Sequence, residues 1–585
     1  MRNMSLELLL SPFLFAVLLS SAHARIGYFW HITDLHLDTI YSMEGDARKS
    51  CWQLPRSGGA SNGMSVAAAS SPETPGAFGD YHCDSPWSLI ESAVKTMKAK
   101  QGDNVEFVLW TGDALSHSAQ PLSELKQHEI LRNITELLGR SFSSQFIFPV
   151  LGHEDGTPHK YKQMGELWRH WLPSEALLTF EQGGYYSIEQ TKSRLRIVAL
   201  NTNFMRHDPK VPQANGNGIR WPAEYYTEPR ASSSAQVPDE DLQQAEQQWL
   251  WLEEVLTKSR NKQETVYIVG HMPPGADERH LGPQHNGQLT FTERNNKRYL
   301  ELVRKYASVI QGQFFGHLHS DTFRIVYDEH GTPISWLMIA PSIAPRKSGI
   351  GSNNPALRLY KFDTGNGQVV DYTQYWMDLP LANRANEPLW LPEYNLTHYY
   401  ALNDISAIAL HNFAERFTGS DTSWFSRYYR ANAVRHQSGS PCLGLCMLNH
   451  YCAITRLDYD EFRQCLETEQ LSLHSHAAIA ALSSCCALFS LCVALSFVCC
   501  WHYTLPWMLH MLDTSATTTT TTTATTTSTP TATATNMDYD GQCEVAPTEP
   551  NAGFITAIPG LLLPAPNMRM GVRSRRQRMS QLANL

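Results

Sequence analysis

Aspartate and histidine residues recur in short clusters over the first 320 residues of this 585-residue chain. Five clusters follow short apolar runs, and glycine stands beside four of them. They are Asp34-Leu35-His36, Gly112-Asp113 with His117, Gly152-His153-Glu154-Asp155, Gly270-His271 and Gly316-His317-Leu318-His319. Imidazole and carboxylate groups bind divalent metals and also transfer protons in catalysis. The clusters therefore predict a hydrolytic site that holds metal ions.

The elements before the clusters should bring them together. Five apolar runs that are predicted to be strands end at a cluster, namely Ile26–Ile32, Val105–Trp110, Phe146–Leu151, Thr265–Val269 and Val309–Phe315. A sixth run, Leu195–Leu200, does not. Helical patterns alternate with these runs, so residues 25–385 are predicted to form a layered α/β domain. Such folds bind ligands at the carboxyl ends of their strands, and the glycines should let the backbone turn sharply there.

Three helices are predicted, at Ser85–Lys100, Leu122–Leu138 and Asp239–Lys258. Ser85 can cap the first helix, and Pro86 suits its first turn. Leu89, Ile90, Ala93, Val94 and Met97 should form its one apolar face. Gly139 is expected to close the second helix.

The ligand types also indicate the metal. Imidazole and carboxylate without thiolate suit two Zn²⁺ or similar ions, and Asp113 is the candidate to bridge them about 3.5–4 Å apart. Two such cations lower the pKa of a bridging water, so that hydroxide can attack phosphorus while the metals offset the developing charge. A positioned acid would then protonate the leaving alkoxide.

In this order the motifs resemble those of the calcineurin-like metallophosphoesterases, and most closely the acid sphingomyelinase-like phosphodiesterases among them. The closer likeness rests on Ile32–Asp38, Cys83–Pro86, Gly270–Gly275 and Asn353–Ala356. It covers roughly residues 25–466 and implies a sandwich of two mixed β-sheets flanked by helices. Purple acid phosphatases are a poorer match, because position 36 is His and no Tyr closely follows Asp113.

The resemblance implies a role for each cluster. One metal would be bound by Asp34, His36 and His319, the other by His271 and His317, and both by Asp113. His117 would be a catalytic imidazole that faces the substrate. Since Asp34 follows the predicted signal-cleavage site by ten residues, no lipid-handling domain is expected before it. Nucleotides or soluble phosphodiesters with small head groups are therefore the expected substrates, with phospholipid as an alternative.

The loop after Gly152 departs from the family pattern, which reads Gly-Asn-His-Asp. Without a gap, Asp155 and Pro158 stay in register, His153 replaces the Asn ligand of the second metal, and Glu154 replaces the proton-donating His. If Asn is instead deleted, His153 stays the acid and the second metal loses a ligand. The ungapped alignment is favoured, because imidazole can bind metal and a carboxylic acid can donate a proton.

The ends of the chain predict a protein of the secretory pathway. Residues 1–24 have the features of a signal peptide, and Ala477–Trp501 are 25 uncharged residues that could span a bilayer. The Thr-rich tail, residues 502–585, is predicted to be disordered, and its orientation stays open. We expect an extracellular, cell-surface or lysosomal protein anchored through 477–501. The net charge of −9 argues against binding of a nucleic-acid polymer.

Cysteines and sequons fit that compartment. Six cysteines lie between the predicted cleavage site and the predicted span, at Cys51, Cys83, Cys442, Cys446, Cys452 and Cys465. They can form three disulfides, with Cys51 bridged to Cys83, whereas a metal site at Cys442 and Cys446 is the weaker alternative. Residues 386–467 are predicted to be a helical C-terminal subdomain. Asn133 and Asn395 begin sequons and should carry glycans.

Two functions follow from these residues. The first is an active phosphodiesterase, which the otherwise complete ligand set favours. The second is a catalytically weakened surface protein that binds phospholipid or nucleotide and regulates signalling, which the altered loop after Gly152 would favour.

Overall fold

The structure is a computed structural model that describes residues 25–53, 74–117, 123–156, 158–190, 194–206, 239–279, 288–348, 351–436 and 441–468, with 492, 493 and 495. The predicted signal peptide 1–24, the tail 502–585 and most of the predicted span 477–501 lie outside these residues. Among the residues described, no helix is both long enough and apolar enough to cross a membrane.

Seventeen strands are found among the described residues. In chain order they are β1 Ile26–Ile32, β2 Tyr41–Asp46, β3 Phe107–Trp110, β4 Phe146–Pro149, β5 Tyr186–Gln190, β6 Leu195–Ala199, β7 Thr265–Val269, β8 Ala276–Asp277, β9 Gln288–Leu289, β10 Ile310–Phe315, β11 Thr322–Tyr327, β12 Pro333–Ile339, β13 Arg346–Ser348, β14 Gly351–Asn353, β15 Ala356–Asp363, β16 Val369–Met377 and β17 Trp390–Asn395. Strand β3 is apolar and buried along its whole length, as expected for a strand that is covered on both faces.

Twelve of these strands form two mixed sheets of six, which confirms the predicted sandwich. The first has the order β17-β16-β15-β1-β3-β4 and the second β11-β12-β10-β7-β6-β5. In the first sheet β1, β3 and β4 run parallel, and in the second β6, β7, β10 and β12 do. Every strand that precedes a predicted ligand cluster is one of these parallel strands, so the clusters lie at carboxyl ends.

Eleven α-helices are described. They are α1 Trp87–Gln101, α2 Glu124–Ser141, α3 Tyr161–Trp168, α4 Ser174–Gly183, α5 Asp239–Lys262, α6 Glu293–Tyr306, α7 Leu379–Ala385, α8 Leu396–Tyr400, α9 Ala407–Glu415, α10 Ser423–Asn432 and α11 Leu445–Thr455. Residues 459–468 are also helical.

Aromatic side chains join the two sheets. Phe29 on β1 stacks between Phe107 and Tyr360 of neighbouring strands, with ring centroids 4.7 and 4.8 Å away. Its edge also contacts Phe314 on β10 of the other sheet, at 5.5 Å. All four rings are buried. Because such contacts fix the spacing of the sheets, the loops at their carboxyl ends are held at a set separation.

Two predicted helix-end signals were wrong, namely the Ser85 cap and the Gly139 stop. Helix α1 starts at Trp87 with Pro86 as its N-cap, while the backbone of Ser85 pairs with His36 and Asp38 instead of capping the helix. The expected apolar face of α1 is buried. Helix α2 begins after Ser123, whose side chain accepts from the Lys126 backbone, and it continues through Gly139 to Ser141. A glycine within a helix costs only about 1 kcal/mol, which packing of the apolar face offsets.

The C-terminal region 386–467 is mainly helical, but it begins with β17, which extends the first sheet beside β16. The predicted disulfides are present as Cys51–Cys83, Cys442–Cys446 and Cys452–Cys465. Because Cys442 and Cys446 are bonded to each other, they do not form the alternative metal site.

The disulfides should differ in their effect on stability. Cys51 and Cys83 are 32 residues apart, whereas Cys442 and Cys446 are 4 apart. Loop-closure entropy predicts a loss of about 4 kcal/mol for a Cys51→Ser/Cys83→Ser protein and about 2 kcal/mol for the Cys442→Ser/Cys446→Ser control. Denaturant unfolding measures both, and an equal or larger loss in the control would contradict the entropic account.

Candidate metal centre

The seven predicted metal ligands converge at one edge of the sandwich. Asp34 and His36 follow β1, Asp113 follows β3, His153 follows β4, His271 follows β7, and His317 and His319 follow β10. Potential ligand atoms of Asp34, His36 and Asp113 lie within 4.8 Å of one another, as do those of Asp113, His153, His271 and His317. Loops from both sheets therefore contribute to two adjacent groups, and Asp113 belongs to both.

The first group contains two imidazoles and two carboxylates. The Nε2 atoms of His36 and His319 are 3.1 Å apart, and both face Asp34 Oδ1, at 3.7 and 3.4 Å. Asp113 Oδ2 lies 3.7 Å from His36 Nε2. These four side chains are buried. Two imidazoles and two carboxylates directed at one point form a suitable site for a divalent transition metal.

The second group also converges on Asp113. The same Oδ2 atom is 2.8 Å from His153 Nδ1 and 3.0 Å from His271 Nε2, and those two nitrogens are 3.1 Å apart. The ring of His317 completes the group, with its centroid 4.8 Å from that of His153. One oxygen atom is thus close to histidines of both groups, which is the position that a bridging carboxylate needs.

The ligand loops have an unusual backbone. Five of the seven ligands have positive φ angles: Asp34 at 51°, His36 at 43°, Asp113 at 55°, His317 at 69° and His319 at 57°. Such conformations are unfavourable for residues other than glycine, and they persist where surrounding contacts enforce them. Backbone bonds provide that enforcement, since Asp34 N donates to Gly112 O and both Leu35 N and His36 N donate to Asp113 O.

The glycines beside the clusters are needed mainly for space. Gly112 has a φ of 93°, but Gly152, Gly270 and Gly316 do not have positive φ angles, so the expectation of sharp glycine turns was wrong for these three. A Cβ atom on Gly152 would lie 2.0 Å from Asp113 Oδ1, and one on Gly316 would lie 1.9 Å from Thr33 Oγ1. The ligand side chains pack directly against these glycines.

Hydrogen bonds outside the two groups orient the ligands. His36 Nδ1 lies 2.9 Å from the Leu115 carbonyl oxygen, and His271 Nδ1 lies 2.8 Å from that of Thr111. A carbonyl can only accept, so each Nδ1 carries a proton, and Nε2 is the atom that would bind a metal ion. Asp34 is held through Oδ2, which accepts from Thr33 Oγ1 and from the His317 backbone.

Asp155 holds the loop that carries Asp113. Its carboxylate accepts backbone bonds from Asp113 at 2.8 Å, Ala114 at 2.6 Å, Leu115 at 3.3 Å and Gly152 at 2.9 Å. It therefore joins the loop after β3 to the loop after β4. Burial and the charge of Asp113 raise the pKa of Asp155 to about 6.

The electrostatics of the site favour bound cations. Burial lowers the pKa of His36, but the Asp34 hydrogen bond and the charges of Asp113 and Asp84 raise it to about 10. Burial likewise lowers the pKa of His271, and Asp113 raises it to about 9. Among the residues described, Asp34 Oδ1, Asp113 Oδ2, His317 Nδ1 and His319 Nδ1 are buried and have no hydrogen bond of good geometry, although the two carboxylate oxygens face imidazole nitrogens. Metal ions would be attracted by this negative potential. They would also form ligand bonds to several of these atoms, so the residues fit a two-metal centre.

The altered loop after Gly152 places His153 and Glu154 differently. His153 is in the second ligand group, as the ungapped alignment expects. Glu154 is 37% exposed, and its Oε1 atom lies 3.4 Å from His153 Nε2. Its backbone N–H donates to Asp113 Oδ1 at 3.0 Å. The position of His153 favours a ligand role over the proton-donor role of the gapped alignment.

His117 is at the open side of the first group. Its ring stacks on that of His36, with centroids 3.8 Å apart, and its side chain is 36% exposed. Its Nδ1 atom lies 3.0 Å from Asp84 Oδ1. Burial raises the pKa of Asp84, but the charge and hydrogen bond of His117 bring it down to about 2. Asp84 therefore fixes the orientation of the His117 ring.

Sequence reasoning did not assign the supporting roles of Asp84 and Asp155. Asp84 stands within the Cys83–Pro86 motif, but its partner His117 is 33 residues away, so only the fold shows the pair. The run Leu195–Leu200, which ends at no cluster, also supports the site. Thr202 after β6 accepts from the Met272 backbone next to His271, at 3.0 Å.

Comparison with known proteins gives two family matches. Residues 27–321 match the calcineurin-like phosphoesterase family, and residues 332–472 match the acid sphingomyelin phosphodiesterase C-terminal region. Human acid sphingomyelinase-like phosphodiesterase 3b is 35% identical over 475 residues, which cover 78% of this chain and 94% of that protein.

Two further relatives show similar coverage. Human cyclic GMP-AMP phosphodiesterase SMPDL3A is 33% identical over 455 residues, which cover 76% of this chain and 90% of that protein. Sphingomyelinase phosphodiesterase C of Dictyostelium discoideum is 28% identical over 464 residues, which cover 75% and 92%.

Removal of the shared carboxylate should empty the site. Burial raises the pKa of Asp113, but the charges and hydrogen bonds of His153 and His271 keep it well below the usual value, so this side chain is an anion. Asp113→Asn keeps its size and removes its charge, and we expect loss of both metals and at least a hundredfold loss of activity. Metal analysis of the purified protein measures this, with Asp103→Asn, whose side chain is 75% exposed, as the control. Retention of two metals at the normal rate would refute the bridging assignment.

Proposed function

The chain belongs to the calcineurin-like metallophosphoesterases of the acid sphingomyelinase-like type, and we propose that it is a binuclear zinc phosphodiesterase that acts outside the cytosol. The observation that carries this proposal is the position of Asp113 Oδ2, within 3.7 Å of ligand nitrogens in both groups. A phosphoric diester hydrolase of this family needs such a shared oxygen to hold two cations side by side.

The side chains of the site have different roles in hydrolysis. Asp34, His36, His319 and Asp113 would hold one cation, and Asp113, His153, His271 and His317 the other. Two cations bound there supply a nucleophile at neutral pH and offset the charge that develops on the phosphate. The outer hydrogen bonds of His36 and His271 keep their Nε2 atoms directed inward, where they would bind the cations. Zinc is favoured because the set offers five imidazoles, two carboxylates and no thiolate.

Two partly exposed side chains can act on the substrate itself. We assign proton donation to the leaving oxygen to Glu154, which borders the second group and is open to solvent. His117 borders the first group, and Asp84 holds its Nδ1, so that Nε2 is available to a phosphate oxygen.

The substrate class is a small phosphodiester, either a nucleotide or a phospholipid head group. The names of the relatives cover both kinds, since one is a cyclic GMP-AMP phosphodiesterase and another a sphingomyelinase phosphodiesterase. Because His153 joins the second ligand group, both cation sites have full sets of side chains. That completeness supports an active enzyme over a catalytically weakened binding protein. Metal content together with turnover of bis(p-nitrophenyl) phosphate tests this, and a protein with two metals and no turnover would favour the binding role.

The proposed setting is the secretory pathway, with attachment to the membrane through 477–501. Three disulfides among the described residues support an oxidising compartment, since such bonds are rare in the cytosol. Asn133 of the first sequon is half-buried on α2. Thr135 of the same sequon is buried and accepts a hydrogen bond from Trp168 Nε1. The second, Asn395, is exposed at the end of β17.

The role of Glu154 predicts a dependence on the leaving group. Glu154→Gln cannot donate a proton to the leaving oxygen. It should therefore slow hydrolysis of esters with poor leaving groups at least tenfold more than hydrolysis of p-nitrophenyl esters, because p-nitrophenolate leaves without a proton. Glu154→His should restore the poor esters and move the optimum toward neutral pH, because imidazolium keeps its proton at higher pH. Rates for a series of aryl and alkyl esters measure the effect. An unchanged dependence on leaving group in Glu154→Gln would rule out this assignment.

Glycosylation should be visible on gels if the chain enters the secretory pathway. We expect a glycan at each sequon, with the exposed Asn395 more fully modified than the half-buried Asn133. Mobility of protein from a eukaryotic host, before and after glycosidase treatment, measures this, with Asn133→Gln and Asn395→Gln to assign each shift. No mobility change in the unaltered protein would count against the secretory setting.

A further inference from the structure

The imidazole of His319 is held differently from those of His36 and His271. Each of those two rings donates from Nδ1 to a backbone carbonyl, whereas His319 Nδ1 is buried and makes no hydrogen bond among the residues that the structure describes. Its Nε2 atom nevertheless faces Asp34 Oδ1 at 3.4 Å, inside the first ligand group. Because no outer bond orients this ring, its direction depends on how the backbone of its loop is held.

The backbone of that loop is strained. His317 and His319 have φ angles of 69° and 57°, which cost free energy for residues other than glycine and persist where surrounding contacts enforce them. The start of the loop is held by the His317 N–H, which donates to Asp34 Oδ2 at 2.9 Å. Further along, His319 O accepts a long bond of 3.4 Å from the Ser342 backbone. Stronger contacts come two residues later, at Asp321.

Asn432 of the C-terminal region holds the backbone of Asp321 on both sides. Asp321 N donates to Asn432 O at 3.1 Å, and Asn432 Nδ2 donates to Asp321 O at 3.0 Å. Asn432 is the last residue of α10 and is buried, so water does not compete for these bonds. One turn earlier on α10, Tyr428 Oη lies 2.8 Å from Thr322 Oγ1. The end of this helix is therefore bonded to two successive residues beyond the ligand.

The side chain of Asp321 is held as well. Its carboxylate accepts hydrogen bonds from Tyr394 Oη and, at 3.5 Å, from Tyr372 Oη, and it faces Arg358 Nη2 at 2.5 Å. These three residues lie on β17, β16 and β15 of the first sheet. His319 and Asp321 follow β10 of the second sheet, so the buried carboxylate joins their loop to the first sheet.

The contacts of Asp321 come from the part of the chain that matches the acid sphingomyelin phosphodiesterase C-terminal region, whereas the ligands belong to the phosphoesterase match. We propose that this C-terminal region is part of the metal centre and that Asn432 is a positioning residue for His319. Asn432 acts through the Asp321 backbone, which it holds so that His319 Nε2 stays directed at the first cation site. The inference rests on the proposed two-metal phosphodiesterase function and adds a second region that this function requires.

The effect should be large because metal bonds tolerate little movement. A ligand nitrogen must keep its distance to a metal ion within about 0.2 Å, and loss of a residue that orients a ligand weakens metal binding by about 10–100-fold. The seven ligands themselves are unchanged when Asn432 is replaced. A defect at Asn432 should therefore appear as weaker binding of one metal ion rather than as loss of the whole site.

Zinc affinity, measured by competition with a chelator, tests the positioning role. Asn432→Ala removes the Nδ2 donor, so the zinc ion that His319→Ala also loses should bind about 10–100-fold more weakly, and the other should stay within about twofold. Tyr394→Phe keeps the ring and removes one bond to Asp321, so it should weaken the same ion by a smaller factor. Unchanged affinity for both ions in Asn432→Ala, or equal weakening of both, would overturn the proposal.

Asn383→Ala is the matched control. Asn383 also bonds two backbone groups through its side chain, accepting from Phe78 N and donating to Gly79 O, each at 2.9 Å. That segment carries none of the seven ligands, so this variant should bind both zinc ions normally. Melting temperatures of the zinc-free proteins show whether the two asparagine variants are folded to the same extent. Weaker binding of the same zinc ion in Asn383→Ala would refute a specific role of Asn432.

Activity at different zinc concentrations gives a second readout. Asn432→Ala should turn over bis(p-nitrophenyl) phosphate slowly at limiting zinc and recover most of its kcat at saturating zinc, with KM unchanged. A loss that excess zinc does not reverse would contradict positioning. If the unaltered protein binds two zinc ions and hydrolyses no phosphodiester, the proposed function fails, and zinc affinity still decides the role of Asn432.

A crystal structure of Asn432→Ala tests the inference without metal or turnover. We expect His319 Nε2 to move away from Asp34 Oδ1 by more than about 0.5 Å, the tolerance of a functional site, while His271 keeps its place. An unmoved His319 would refute the positioning role, whatever the result for the proposed function.

Discussion

The Asp113 carboxylate lies where loops of the two sheets meet, and its Oδ2 atom is the oxygen that both groups of histidines approach. Its neighbours His36 and His153 come from the first sheet, and His271 comes from the second. The site therefore forms only if the two sheets keep a fixed spacing. Aromatic contacts such as Phe29 with Phe314 fix that spacing in the core, and Asp155 fixes the loop locally through four backbone N–H groups.

Much of the local structure follows from this single placement. To bring carboxylate and imidazole groups within about 3–4 Å of each other, the chain adopts positive φ at five ligands and leaves no room for a Cβ atom at Gly152 or Gly316. The unfavourable backbone is stabilised by bonds between the loops after β1 and β3. The change from Asn to His at position 153 is compatible with this frame, because an imidazole Nδ1 reaches the position that a ligand must occupy.

The sequence predicted the strands and the ligand clusters well, because buried parallel strands have continuous apolar runs and their ends have glycine next to Asp or His. Strands β1 and β7 match their predicted bounds. What it could not predict depends on contacts between distant residues. The pairing of Asp84 with His117, the place of β17 beside β16, and the bonds between Asn432 and Asp321 are set by the tertiary fold. The prediction that Gly139 ends its helix was wrong, because the helical pattern continues past this residue and packing outweighs the low helix propensity of glycine.

The most direct test of the two-metal account is a crystal structure of the zinc-loaded protein with anomalous data at the zinc edge. We predict two anomalous peaks on either side of Asp113 Oδ2, one bound by Asp34, His36 and His319, and the other by His153, His271 and His317. A single peak would contradict the shared-carboxylate account. Two peaks with His153 turned away from both would contradict the assignment of His153 as a ligand.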